Sequence, residues 1–229
     1  MVRLVASGKS HRLPMQAELL SAWSDVGSEV LRDILRQIDR PPPEGFWPLM
    51  LGTSRIGWLA PQHIDPLCRH LPLCRREDHK VIWQAQSLDG RTRSSLLTGA
   101  AERLRADGWI RGWRDELYSY WGEIDEPPNR EHAEWFRMER AAFRFFGLRS
   151  HAVHINGFRS DGRIWCGIRA MSKTTDPGRI DNLAAGGLCV GESPLGCAIR
   201  ELHEEAGLLE DIAGQVQTAG RRSEEHTSE

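Results

Sequence analysis

Gly186-Gly187-Leu188-Cys189-Val190-Gly191-Glu192-Ser193-Pro194-Leu195-Gly196-Cys197-Ala198-Ile199-Arg200-Glu201-Leu202-His203-Glu204-Glu205-Ala206-Gly207-Leu208 is the stretch on which the reading of this chain turns. It has the form Gly-x5-Glu-x7-Arg-Glu-apolar-x-Glu-Glu-x-Gly-apolar. Gly186, Glu192, Arg200, Glu201, Leu202, Glu204, Glu205, Gly207 and Leu208 fill its positions, seven of them fixed in residue type. At roughly 5–10% per fixed residue, a chance match in a chain of this size falls below about one in a thousand.

The stretch also has a physical logic of its own. Ser193 is placed to cap a helix whose first residue is Pro194, and Gly207 is placed to end it. Leu195, Ala198, Ile199, Leu202 and Ala206 form one apolar face. Glu201, Glu204 and Glu205, at i, i+3 and i+4, gather on another face within roughly a 100° arc. Three carboxylates that close repel one another. A hard divalent cation with oxygen ligands, Mg²⁺ or Mn²⁺, relieves that repulsion. Such an ion also bridges phosphate oxygens, polarises phosphorus and lowers the pKa of bound water. Arg200 precedes Glu201 directly and Glu204 by one turn, so it is placed to pair with a carboxylate and hold its rotamer. Alone, Glu-x-x-Glu-Glu reads as an ordinary solvated helix face. The flanking glycines, Glu192 and Arg200 turn the reading toward a site.

Upstream of this stretch, His151 to Phe158 reads as a strand, Ser160-Asp161-Gly162 as a turn, and Arg163 to Ala170 as the returning strand. Thr174 to Arg179 reads as a loop and Leu183 to Val190 as a small, apolar, buried strand. A change of character near Ser150 places a domain boundary at about residue 148. Before it, residues 1–14 read as irregular and basic. Residues 15–40 follow a helical rhythm that Pro41-Pro42-Pro43 ends. Trp47–Gly52 and Arg55–Leu59 read as two short strands. Residues 94–106 read as a helix closed by Gly108, and a helical part is expected around Met138 to Phe143.

Composition sets bounds. The 229 residues are 40% hydrophobic and 27% charged, as in an ordinary globular protein. A formal net charge of −2 gives no electrostatic argument for nucleic acid or an anionic membrane. No apolar run approaches the roughly 20 residues that span a bilayer, and no cleavable leader is evident. The five cysteines match neither a zinc pattern nor a redox pair and read as reduced thiols of a cytoplasmic protein. Most of the nine tryptophans are expected to anchor the core or a domain interface.

The stretch 186–208 resembles the Nudix box, and the resemblance to the Nudix hydrolase family extends over about residues 150–210. It implies an α/β/α sandwich and hydrolysis of a nucleoside diphosphate or related diphosphate linked to another group. By position it implies Glu204 and Glu205 as metal ligands, and Glu201 as a ligand or general base oriented by Arg200. Gly186 offers its carbonyl near the metal, and Glu192 and Gly207 stand in support. A narrower resemblance is carried by Arg111–Tyr118, Glu139–Ala142, His154–Gly157 and Asp176–Gly187. These stretches are similar to a subgroup with an uncharacterised N-terminal domain, related to the Nudix part of fungal thiamine-pyrophosphokinase-related proteins. That implies a substrate like thiamine diphosphate, intact or damaged. Trp113, Arg114, Tyr118 and Asn156 are weighed as substrate contacts against core packing and turn chemistry. His151 and His154, alternating on a strand, are weak metal candidates.

The expected fold class is therefore α+β. Residues 15–148 form an N-terminal α+β domain, and residues 149–221 an incomplete Nudix sandwich. Residues 222–229 match the conceptual translation of a sequencing adapter and are expected to be foreign to the protein. A chain cut there is expected to fold poorly and to show little activity. The expected function is metal-dependent hydrolysis of a small-molecule diphosphate. A non-catalytic diphosphate-binding module and an isopentenyl-diphosphate-isomerase-like enzyme on the same metal scaffold are the competing readings.

Overall fold

The computed structural model describes residues 2–5, 44–122, 133–159, 161–172 and 177–218. It is an α+β structure in which several small sheets are interleaved with helices. The helix expected over 15–40, the loop at 127–130 and the tail at 222–229 lie outside the described residues.

The first half is built on β2 (Trp47–Leu51) and β3 (Ser54–Leu59), the hairpin expected from sequence. With β4 (Cys74–Glu77) and β5 (Lys80–Trp83) they form a four-stranded sheet in the order β3-β2-β5-β4, in which β2 and β5 run parallel. Helix α1 (Pro61–His70) and helix α2 (Gly90–Ala106) pack on each other. Helix α2 begins four residues before the expected start at residue 94, because Asp89 caps it by accepting the Thr92 N–H at 2.8 Å. The strands β6 (Leu117–Tyr120) and β7 (Phe136–Glu139) pair as a separate antiparallel ribbon. The helix expected around Met138 to Phe143 starts only at Arg140. Met138 and Glu139 belong to β7, and Glu139 caps the helix that follows, α3 (Arg140–Phe146). Trp83, Tyr120, Phe136 and Phe146 are fully buried in the core of this half. Each such side chain contributes about 1.5–3 kcal/mol relative to exposure. Trp83 is the fully buried tryptophan among those described, whereas Trp109 and Trp165 are exposed, against the expected anchoring role.

The second half has its own core of Val153, Ile155, Ala184, Leu188, Cys197, Ala198, Leu202, Ala213 and Val216. Its sheet has the order β12-β8-β1-β13, with β1 (Val2–Val5), β8 (Ala152–Phe158), β12 (Ala184–Gly187) and β13 (Val216–Thr218). Strand β1 (Val2–Val5) corrects the reading of residues 1–14 as irregular: it lies between β8, in parallel, and β13, antiparallel. Four residues carry too short a pattern to announce a strand whose partners lie about 150 and 210 residues away. The returning strand expected over 163–170 is also divided. Strand β9 (Ile164–Trp165) pairs with β8, and β10 (Gly167–Ile168) turns to pair with β11 (Ile180–Asp181). The box helix is α4 (Pro194–Ala206), packed on β12 and β8, and a short helix α5 (Glu210–Ala213) follows.

Candidate active site

Helix α4 forms as its sequence dictates. Ser193 Oγ accepts the Gly196 N–H at 3.0 Å, Pro194 opens the first turn, and Gly207 closes the helix with φ 65°. The apolar face differs in one respect. Leu195 is 51% exposed, and Cys197 is buried beside Ala198 and Leu202. Leu195 stands in the first turn, where the chain is still entering from the loop after β12.

The strand before the helix explains the two glycines. In β8 the alternate residues Val153 and Ile155 are buried in the core shared with α4, and the β8–β12 register puts Gly186 opposite Val153. A Cβ on Gly186 would lie within 2.6 Å of the whole Glu201 carboxylate. One on Gly187 would lie within 2.9 Å of the Tyr118 hydroxyl and ring edge. The glycines thus let Glu201 and Tyr118 approach the strand from two directions.

Glu201 is a buried charged residue, 8% exposed. Burial raises its pKa above the ordinary glutamate range. Arg200 opposes the shift, and the neighbouring Glu205 and Glu204 add to it. Arg200 ties the acidic face together. Its Nη1 donates to Glu201 Oε1 at 2.6 Å and to Glu204 Oε2 at 3.2 Å. Its Nε and Nη2 grip the two oxygens of Glu192 at 2.8 and 3.0 Å, and Nη2 also reaches the Gly187 carbonyl at 3.2 Å. The Glu192 bond first, and then Glu201, hold the guanidinium above its usual pKa. Burial works against ionisation of Glu192, but the Arg200 bond prevails and its pKa is lowered. Glu205 Oε2 accepts the Ala185 N–H at 3.0 Å.

The residues singled out by the box are therefore brought together: Gly186, Glu192, Arg200, Glu201, Glu204 and Glu205 lie along one strand–loop–helix. Among the described residues, no three His, Cys, Asp or Glu side chains converge closely enough to hold a metal ion. The donor set nevertheless suits a hard cation. Its side-chain donors are carboxylate oxygens, and the buried Glu201 feels the repulsion of two neighbours that a divalent ion offsets.

The other candidates divide. Tyr118 is buried, edge-on to Phe143, and its burial pushes the phenol up to about 12. Trp113 donates to Asp115 Oδ1 at 2.8 Å and lies under Arg105. These are packing contacts. The Arg114 side chain is exposed. Asn156 Oδ1 accepts from Asn182 Nδ2 at 2.8 Å, and Asn182 Oδ1 is 3.0 Å from His154 Nδ1. His151 stands edge-on to Trp121 instead. Sequence reasoning missed Glu139, Glu116 and Cys189. Glu139 is 3% exposed, and its carboxylate accepts the N–H groups of Arg114 and Glu116, each at 3.0 Å. The Cys189 thiol donates to Glu116 Oε1 at 2.8 Å, and burial together with that carboxylate pushes it up to about 12. Only the Glu139-Arg140 step, a charged pair inside an apolar aromatic run, hinted at this in the sequence.

Comparison with known proteins places this glycine strand, loop and acidic helix inside a recognised domain. Residues 147–229 match the NUDIX domain, and residues 32–150 match a domain of unknown function, DUF4743. The chain carries a NUDIX domain preceded by DUF4743, and the DUF4743 model, which spans half of it, shows the family to which it belongs. It is 37% identical over 195 residues to "Nudix hydrolase 20, chloroplastic" of Arabidopsis thaliana, covering 76% of this chain and 48% of that protein. It is 38% identical over 142 residues to "Nudix hydrolase 24, chloroplastic" of the same plant, covering 56% and 37%. An uncharacterized protein of Saccharomyces cerevisiae is 26% identical over 142 residues, covering 58% and 39%. The chain thus spans half or less of the length of these relatives. No helix among the described residues is long and apolar enough to cross a membrane.

Proposed function

We propose that this chain carries the catalytic face of a hydrolase that cleaves the diphosphate linkage of a small molecule, with Mg²⁺ or Mn²⁺ held by Glu204, Glu205 and Glu201 beside the Gly186 carbonyl. The single observation that carries the reading is the Glu201 carboxylate. It is buried against Gly186, crowded by two further carboxylates and raised in pKa. Folding alone gives no reason to retain such a group. When bound, the cation supplies positive charge against the phosphate oxygens and makes nearby water more acidic. Glu201 would serve either as a further ligand of the cation or as the base that takes a proton from the attacking water. Arg200 orients Glu201, and Glu192 fixes Arg200 from the other side.

For the substrate we favour thiamine diphosphate or a damaged form of it over a nucleoside diphosphate joined to another group. Support comes from the resemblance of Arg111–Tyr118, Glu139–Ala142, His154–Gly157 and Asp176–Gly187 to the Nudix part of fungal thiamine-pyrophosphokinase-related proteins. We place the reaction in the cytoplasm, a reducing compartment that suits five cysteines outside any disulfide. The plant relatives carry "chloroplastic" in their own names.

The test is hydrolysis of thiamine diphosphate, oxothiamine diphosphate, ADP-ribose and NADH with and without Mg²⁺ or Mn²⁺, followed by product analysis. Cation-dependent turnover of one of them is expected, with loss in Glu204→Ala and in Glu205→Ala. Wild-type rates in both variants would overturn the ligand assignment. A second reading, a non-catalytic diphosphate-binding module, is favoured by one observation: Arg200 engages Glu201 and Glu204. It predicts cation-dependent binding of the same compounds without any product.

A further inference from the structure

We infer that the DUF4743 domain is a positioning element for the Nudix box, and that Glu116 is the positioning residue through which it acts on Arg200. The inference rests on the hydrolase reading above for its effect on catalysis, but its structural part is independent of it.

Three consecutive residues, Glu116 just before β6 and Leu117 and Tyr118 at its start, each touch the strand end and loop that lead into α4. The Cys189 thiol donates to Glu116 Oε1 at 2.8 Å. The Val190 N–H donates to the Leu117 carbonyl at 3.0 Å. The Tyr118 hydroxyl occupies the space that a side chain on Gly187 would need. The loop in turn holds the catalytic face. The Cys189 N–H donates to Glu192 Oε2 at 3.2 Å, and both Glu192 oxygens receive Arg200, which reaches on to Glu201 and Glu204.

The first domain's end of this relay is rigid. Glu139, almost wholly buried, accepts the N–H groups of Arg114 and Glu116 and so locks the turn before β6. Arg140 Nη1 holds Glu116 Oε2 at 2.6 Å, leaving Oε1 to face Cys189. The Arg140 N–H also donates to the Glu116 carbonyl at 2.9 Å. A carboxylate fixed by an arginine and by the backbone is thus set against the loop between β12 and α4. Outer partners of this kind keep the groups they touch in a single rotamer, and their loss commonly costs about 10–100-fold in activity.

The experiment uses the full chain. Side-chain NMR of the metal-free protein follows the Arg200 Nε–H, which Glu192 accepts at 2.8 Å. The Nε–H of Arg163, paired with Asp161 at 2.9 Å in the β8–β9 turn, serves as an internal control. In Glu116→Ala we expect the Arg200 proton to exchange about fivefold faster while that of Arg163 is unchanged. With Mg²⁺ and the best substrate of the panel, kcat falls about tenfold and KM stays within about twofold. The double variant E116A/R200K is no slower than R200K alone, because both changes break one relay. Glu116→Leu, which keeps side-chain bulk but has no oxygen to accept the Cys189 thiol, carries the same tests if the alanine variant unfolds. Unchanged Arg200 exchange, or additive losses in the double variant, would overturn the positioning role. Faster exchange in a protein that hydrolyses none of the diphosphates would support the positioning role and overturn the hydrolase reading alone.

Discussion

Replacing Gly186 by alanine tests the geometry at the centre of the site. The new Cβ would fall within 2.6 Å of all three atoms of the Glu201 carboxylate, where ordinary contact begins at about 3.4 Å. Glu201 has little room to retreat, since it is 8% exposed and Arg200 Nη1 holds it at 2.6 Å. Overpacking of this kind costs about 1–3 kcal/mol. At roughly 2–4 °C per kcal/mol for a chain of this length, Tm should fall by about 2–12 °C. The assay is thermal unfolding by circular dichroism, with the double variant G186A/E201A as the diagnostic partner. Truncating Glu201 removes the atoms that collide, so the double variant should recover most of the lost Tm. Independent effects would instead add. A Tm for Gly186→Ala equal to wild type, or a double variant no more stable than Gly186→Ala, would refute the close approach of Glu201 to the strand.

Further outcomes follow from the same structure. Glu201 has a raised folded-state pKa, so the stability linked to it is full below the ordinary glutamate pKa and lost as pH rises through the folded value. Glu201→Gln removes that loss, and its Tm advantage over wild type in metal-free buffer should grow as pH rises above the ordinary glutamate range. Mg²⁺ should raise the Tm of wild type, by about 2.7 kcal/mol of stability at a hundred times its dissociation constant. The increase should vanish in Glu204→Ala/Glu205→Ala, which calorimetric titration with Mg²⁺ checks directly. Gly99 sits inside α2, where a Cβ would meet only the Arg103 guanidinium at 3.4 Å. Gly99→Ala should therefore stabilise the first domain by up to about 1 kcal/mol, read as a rise in denaturant midpoint at constant slope.

The box helix was legible in the sequence because its determinants are local. A serine cap, a proline at the first position, a terminal glycine and a three-and-four-residue spacing all act within one or two turns. The same is true of the β2–β3 hairpin and of α2, apart from its first turn. Other features depend on partners far along the chain. Val2–Val5 becomes a strand only by lying between β8 and β13. Arg163–Ala170 divides because β9 and β10 find different neighbours. Helix α1 carries Pro66 inside it, which weakens its local signal, and it forms by burying Ile64 and Leu67.

Which residues line the acidic face, and why Ser193 and Gly207 bound its helix, follow from local pattern alone, since spacing along a helix fixes which side chains share a face. The same pattern suggested that Arg200 would pair with a carboxylate. Packing alone reveals that Arg200 holds three of them, that Gly186 and Gly187 make room for Glu201 and Tyr118, and that Glu116 of the first domain meets Cys189 across 73 residues. Contacts of that length leave no period or local pattern in a single sequence, because they arise when separately formed elements pack.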